Sequence, residues 1–266
     1  IAQTRNNTMH IVFNNLGVAS EKAGKDIQAL KFWQMALKKN PGLTETHVNM
    51  GVVHEKMGQK KKAIAAYQKA LELDGTNAMA HYNLGVIYAK EKAFTKAVDQ
   101  WETAMKFDGK DANILNSLGW AYEKLGKRKK ALAKLNRSIK LSPFDSKTHF
   151  SSGRIKYDLG NIEGAIESFK KAVQLDPSFG DAYYRLGLAY DSQNQGYDTL
   201  SNLLITELVY HKAKKMDLFK KTQSRLVPLF DKYQSTRGDF KDLEVPETLK
   251  GYDLHKRNRI RTSKEK

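Results

Sequence analysis

A glycine returns every 34 residues, preceded by leucine in most units: Leu16-Gly17, Met50-Gly51, Leu84-Gly85, Leu118-Gly119, Ser152-Gly153 and Leu186-Gly187. Alanines keep the same step at Ala29, Ala63, Ala97, Ala131 and Ala165. A large side chain follows each alanine by four residues (Trp33, Tyr67, Trp101, Leu135, Phe169), and a small one by seven (Ala36, Ala70, Ala104, Ser138, Ala172). Breakers close the units at Pro41-Gly42, Gly75, Gly109, Pro143 and Pro177. Self-similarity at a period of this size marks a chain built from stacked supersecondary units. Five full units start near residues 10, 44, 78, 112 and 146, and a partial sixth starts at 180 and loses the pattern after Gly196.

Within a unit the apolar spacing is helical. Leu115, Leu118, Gly119 and Tyr122 fall at i, i+3, i+4 and i+7, and Gly126 then interrupts. Leu132, Leu135, Ile139 and Leu141 follow before Ser142-Pro143. Each unit therefore reads as helix, short turn, helix, turn. The glycine column lets the two helices approach closely, and the aromatic after the alanine column fills the gap to the neighbouring unit. One hairpin cannot bury both of its faces, so stacking is compulsory and the expected fold is an all-α superhelical solenoid.

Composition excludes several alternatives. The 266 residues carry 46 Lys/Arg against 29 Asp/Glu, a formal charge of +17, and 40% are hydrophobic, enough to build a core. There is no cysteine, which removes disulfides, thiol nucleophiles and cysteine-ligated metals. No apolar run reaches the length of a membrane span. The chain opens on Ile1, so an upstream signal or anchor stays open, and the expected location is cytoplasmic, or periplasmic and envelope-associated if such a signal is removed. No P-loop, G-x-G-x-x-G, H-E-x-x-H or G-x-S-x-G motif is present. His47, His81 and His149 share one column, but successive units lie roughly 10 Å apart, too far for one metal. No metal or cofactor is expected, and no enzymatic activity.

The repeated columns resemble the tetratricopeptide repeat, W-x2-L-G-x2-Y…A-x3-F…P. They read here as Phe13-x2-Leu16-Gly17 with Ala29-x3-Trp33 and Pro41, and as Leu115-x2-Leu118-Gly119-x2-Tyr122 with Ala131-x3-Leu135 and Pro143. The resemblance covers about two thirds of the chain. Ser20, His54 and Lys156 stand where tyrosine is usual, and Ser152 where leucine is usual. The resemblance implies a right-handed superhelix whose first helices line a concave groove that holds a peptide or protein subunit. The chain then divides into an N-terminal extension (1–9), the solenoid (10–196), a helical cap (197–234) and a polar, basic tail (235–266).

Three columns of the first helices face the expected groove. One runs Asn15, Asn49, Asn83, Ser117, Ser151, Arg185. A carboxamide ladder offers a donor and an acceptor at every step to an extended peptide backbone, and it is similar to the asparagine ladder of O-linked N-acetylglucosamine transferase. The competing reading is a plain solvated helix face. A second column runs Val18, Val52, Val86, Trp120, Arg154, Leu188. An apolar stripe on an exposed face points to a partner, although valine could equally be covered by the next unit. Trp120, with Tyr82, Phe150 and Tyr184, sets aromatic anchors along the middle and late groove. A carboxylate clamp for chaperone tails would need Asn where Val18, Val52 and Val86 stand and Lys where Asn14, Val48 and Tyr82 stand. Neither is present.

Residues 1–200 hold 30 Lys/Arg and 20 Asp/Glu, and residues 201–266 hold 16 and 9, so the positive charge is spread along the chain. Local runs occur at Lys60, Lys61 and Lys62 and at Lys127, Arg128, Lys129 and Lys130. They open second helices, where positive charge opposes the helix dipole. The segment Lys256–Lys266 carries six basic residues and one acid and reads as a disordered basic tail. The expected function is a scaffold or adaptor, with a bacterial envelope, secretion or motility assembly as its setting by analogy with the family. The competing expectation is an electrostatic binder of an acidic protein or anionic membrane surface through the basic runs. Nucleic acid fits poorly, because no continuous basic track interleaved with aromatics exists.

Overall fold

In the computed structural model residues 2–250 are described, with side chains from Thr8. The basic segment Lys256–Lys266 lies outside the described residues. Among those described there are thirteen α-helices and no strand. They form two compact units, residues 1–127 and 128–266. The first contains α1 (Ala2–Lys22), α2 (Asp26–Lys39), α3 (Thr44–Lys56), α4 (Lys60–Leu73), α5 (Ala78–Lys90), α6 (Phe94–Phe107) and α7 (Ala112–Lys124). The second contains α8 (Arg128–Leu141), α9 (Ser146–Asp158), α10 (Ile162–Leu175), α11 (Gly180–Ser192), α12 (Gly196–Lys212) and α13 (Met216–Lys232), then two 3-10 turns at Arg237–Phe240 and Glu247–Leu249. Helix α1 begins at Ala2, so most of residues 1–9, expected as an extension, continues the first helix upstream.

Local chemistry sets the helix ends. Asn77, Asp111, Asp145 and Asn161 accept backbone N–H bonds from the first turns of α5, α7, α9 and α10. First helices end on a left-handed residue that falls in one column: Gly24, Gly58, Gly126 and Gly160, with Lys92 and Asn194 taking the same conformation at φ +60 and +56. The histidine column has a role the sequence did not disclose. Nε2 of His47, His81 and His149 lies 3.4, 3.2 and 2.9 Å from the carbonyl oxygens of Pro41, Gly75 and Pro143. A carbonyl only accepts, so Nε2 carries the proton. Each imidazole thereby ties its helix to the turn that precedes it.

The glycine column is a socket for the aromatic of the partner helix. A methyl group at Gly17, Gly51, Gly85 or Gly153 would come within 2.7, 2.7, 2.6 or 2.7 Å of ring atoms of Trp33, Tyr67, Trp101 or Phe169. The same rings reach the next hairpin: Tyr67 shares a core with Ala80, Leu84 and Ile87, and Trp33 with Val53. One side chain thus closes its own pair and the joint to the next. At Lys156, where tyrosine is usual, Nζ donates to Ser168 Oγ at 2.9 Å and to the Gly164 carbonyl at 3.3 Å. The deviant column is satisfied by polar contacts instead of ring packing.

The two ends of the chain differ. Positions buried in later hairpins are open in the first: Leu16 is 41% exposed, whereas its counterpart Leu84 is 4% exposed. At the other end α12 pairs with α11 and is covered in turn by Leu226, Leu229 and Phe230 of α13. Helix α13 runs on through Pro228, which contributes no backbone donor to it. Residues 235–250 fold back on the second unit. Phe240 joins the core of Leu200, Leu203 and Leu204, and Leu249 packs with Ile205, Leu208 and Val209. Glu207, 5% exposed, accepts from Arg237 Nη2 at 2.5 Å and from Gln223 Nε2 at 2.8 Å. Asp239 caps the backbone N–H of Thr236. The Arg237-Gly238-Asp239 tripeptide is therefore a structural turn.

Candidate functional site

The first helices of each unit display the candidate columns, and their spacing follows from the constant 34-residue step. In the first unit the asparagine ladder is uneven. Asn15 is exposed, whereas Asn49 and Asn83 are half-buried. Asn83 Nδ2 is enclosed without a hydrogen-bond acceptor among the described residues. Val52 is exposed and Val86 half-buried. The Tyr82 ring lies 6.4 Å from Trp101, and the Tyr82 carbonyl accepts from Trp101 Nε1 at 3.0 Å.

Trp120, on α7, is 41% exposed. It forms one wall of a cleft of about 730 Å³ together with Val86, Ser117, Phe94 and Ala89. The Phe94 ring meets Trp120 edge-on at 5.3 Å and 83°. Lys124 Nζ stands 5.9 Å from the Trp120 ring centroid, and Lys90 and Lys92 complete the rim. The cleft floor is thus aromatic and aliphatic and its edge cationic. Sequence reasoning missed Phe94. The available signal was that its column otherwise reads Asp26, Lys60, Arg128 and Ile162, so an aromatic there breaks the pattern.

In the second unit four of the named residues, Phe150, Arg154, Tyr184 and Arg185, line one pocket of about 320 Å³. The Phe150 ring is held 4.8 Å from Phe179 and 5.8 Å from Phe169, and the Arg154 guanidinium lies 5.9 Å above it. Asp181 and Tyr210 complete the wall, with Leu218, Lys221 and Thr222 from α13. The Tyr210 hydroxyl donates to Asp181. Burial, reinforced by that carboxylate, pushes the phenol well above its usual range. Lys221 belongs to a helix outside the repeat period, so no column could have revealed it.

The basic runs lie elsewhere. Lys60, Lys61 and Lys62 open α4 and Arg128, Lys129 and Lys130 open α8, both second helices, with Lys127 in the turn before α8. Lys60 forms an ion pair with Glu91, and Arg128 lies 3.6 Å from Asp158. Carboxylates from the following hairpins therefore offset part of the charge that opposes the helix dipole. Lys61 and Lys62 are exposed. Among the described residues no three His, Asp or Glu side chains gather as a metal site, and no helix is long and apolar enough to cross a membrane.

A model described as "TPR repeat" matches residues 56–92 and 153–194, and one described as "Tetratricopeptide repeat" matches residues 112–145. No curated protein sequence matches the chain significantly. Among solved structures the chain is similar to YrrB, described as a TPR protein with an unusual peptide-binding site: 26% identity over 69% of this chain and 97% of that one, TM-score 0.61. It shares the fold of MamA (24% identity, 62% and 97% covered, TM-score 0.60) and of PilF from Pseudomonas aeruginosa (17% identity, 83% and 99% covered, TM-score 0.70).

Proposed function

The chain is a tetratricopeptide-repeat protein, and from that premise we propose that it is a non-enzymatic scaffold that holds a peptide or protein segment against the faces of its first helices. Repeats of this kind serve generally in protein interaction, and the peptide-binding site of YrrB supports the same class of partner here. The observation that carries the reading is Trp120. A tryptophan 41% exposed on an ordered helix, edged by Phe94 in an open apolar cleft, costs free energy unless a partner covers it. Tryptophan is also the residue type most often found as a binding anchor. Asn15 and Asn49 would grip the backbone of the bound segment. A bacterial envelope, secretion or motility assembly is the setting we assign, by analogy with the family.

The test uses a displayed library of random peptides selected on the immobilised chain. Peptides selected by the wild type should lose at least tenfold in affinity on Trp120→Ala, with the helical circular dichroism unchanged. They should stay bound in about 0.5 M salt, where interactions through Lys60–Lys62 or Lys127–Lys130 would be screened. Retention by Trp120→Ala, or release by salt alone, would sink the proposal and favour the electrostatic reading.

A further inference from the structure

We infer that the Trp120 cleft takes a large apolar side chain flanked by an acidic residue, Asp or Glu, of the bound segment. This deepens the scaffold reading, on which it rests, by giving the partner a chemistry. The floor of the cleft is apolar, and the charged residues that line it are Lys90, Lys92 and Lys124. Lys90 is already paired with Glu55. Lys92 and Lys124 are exposed, and among the described residues neither meets a carboxylate. Two unpaired ammonium groups at the edge of an apolar cleft favour a ligand that brings a carboxylate beside its apolar group.

The repeat columns show how these lysines come to be unpaired. Where a second helix meets the next first helix, two positions 30 residues apart come together. Asp26 and Lys56 pair there at 3.0 Å, and Arg128 and Asp158 lie 3.6 Å apart with the charges reversed. Lys60 and Lys90 hold the same two positions, and each turns to another carboxylate, Glu91 or Glu55. Between α6 and α7 the two positions hold Phe94 and Lys124. A ring stands where a carboxylate would neutralise Lys124, and the ammonium lies 5.9 Å from the Trp120 ring centroid instead. Lys92 departs from its column as well. The equivalent residue is glycine in the other four full repeats, whereas Lys92 keeps a left-handed backbone at φ +60. Strain held beside an open cleft points to a use for the side chain that bears it. Trp120 is likewise the aromatic in a column of valines. These departures converge on one cleft, which therefore offers apolar floor and unpaired cations together. Its volume of about 730 Å³ lies within the range of ligand sites, with room for one large side chain and its acidic neighbour.

The experiment repeats the library selection in about 20 mM salt, where exposed charges act most strongly. Each random segment is fused at its C-terminal end so that no free carboxylate is offered. Three chains are compared: the wild type, Trp120→Ala, and the double variant Lys92→Gly/Lys124→Gln, which keeps Phe94 and Trp120 and whose fold is checked by circular dichroism. Trp120→Ala decides the scaffold reading, and the lysine variant decides this inference. Peptides selected by the wild type should be enriched in a large apolar residue beside Asp or Glu. The acidic enrichment should vanish on the lysine variant. Glycine relieves the strain at position 92, so that chain should be no less stable than the wild type and the loss would not reflect unfolding. For the best peptide, made with both ends capped, Glu→Gln should weaken binding about threefold or more on the wild type and little on the lysine variant. Pools with apolar but no acidic enrichment, or acidic enrichment that survives the lysine variant, overturn the inference and leave the scaffold reading standing. Peptides retained by Trp120→Ala overturn the reading beneath it. Three ligand comparisons complete the test. A C-terminal amide that binds at least tenfold weaker than the free acid, a phosphoserine peptide that binds at least tenfold tighter than its glutamate counterpart, or a single-stranded oligonucleotide that displaces the peptide would each overturn the assignment to an internal acidic side chain.

Discussion

Replacing Gly85 by alanine sets two known effects against each other. Alanine is the better helix former by about 1 kcal/mol, so on an open helix face the change would stabilise. At Gly85 the new methyl group would sit 2.6 Å from Trp101 Cδ1 and 2.9 Å from Cε2. Carbon atoms rest at about 3.5–4.0 Å, so the indole must retreat by about 1 Å. It has little room: Trp101 is buried, and its Nε1 is tied to the Tyr82 carbonyl at 3.0 Å. Overpacking of this kind costs about 1–3 kcal/mol, and a rigid ring places it at the upper end. The expected balance is a net loss of about 2 kcal/mol. Gly75→Ala is the control, since its methyl group would meet nothing closer than the Leu71 carbonyl at 3.7 Å, and it should be neutral or slightly stabilising. Trp101→Leu should remove the clash, so the double variant should be more stable than the sum of the single losses by about 1 kcal/mol or more. Urea titration followed by helical circular dichroism measures all four chains, with midpoints compared because a repeat array can unfold in more than one step. A Gly85→Ala chain as stable as the wild type would refute the socket account of the glycine column.

Leu84→Ala should cost about 2–5 kcal/mol as a core truncation, whereas Leu16→Ala, the same residue of the same column at the open end, should cost less than about 1 kcal/mol; equal losses would mean that α1 is covered in solution. Lys92→Gly should raise stability by about 1 kcal/mol, because the left-handed conformation at φ +60 strains lysine and not glycine, and an unchanged midpoint would show the turn relaxes. In alkali, Tyr67, Tyr122 and Tyr210 should ionise late among the twelve tyrosines, since burial and then the neighbouring Glu55, Glu102 and Asp181 push their phenols up. Because the folded values lie above the unfolded one, their contribution is complete below about pH 10 and is lost as pH rises further. Ultraviolet titration showing a single transition near the free tyrosine value would contradict it.

The sequence by itself determined the helical hairpins and the glycine column that receives a large side chain, because one helical unit repeated without insertion leaves a single register; it read the sixth unit as partial, whereas α12 pairs with α11 and sets Leu203 against Gly187. It also singled out Trp120, with Tyr82, Phe150 and Tyr184, as aromatics along the expected groove and set Arg154 and Arg185 in two separate columns, since constant spacing turns positions in a line into columns; that Phe150, Arg154, Tyr184 and Arg185 share one pocket came from the structure. Only the tertiary structure decided what closes those sites. Phe94 reaches Trp120 from a second helix, Lys221 reaches the arginine pocket from α13, which lies outside the period, and Tyr210 reaches it from the end of α12, past the point where the other second helices stop, so no repeated column carries information on either. The histidine column shows the same limit: the spacing aligns the rings, but the turn carbonyl each one meets depends on where the chain folds back. Periodicity encodes contacts between equivalent positions, whereas a site built from inequivalent ones exists only once the chain has packed.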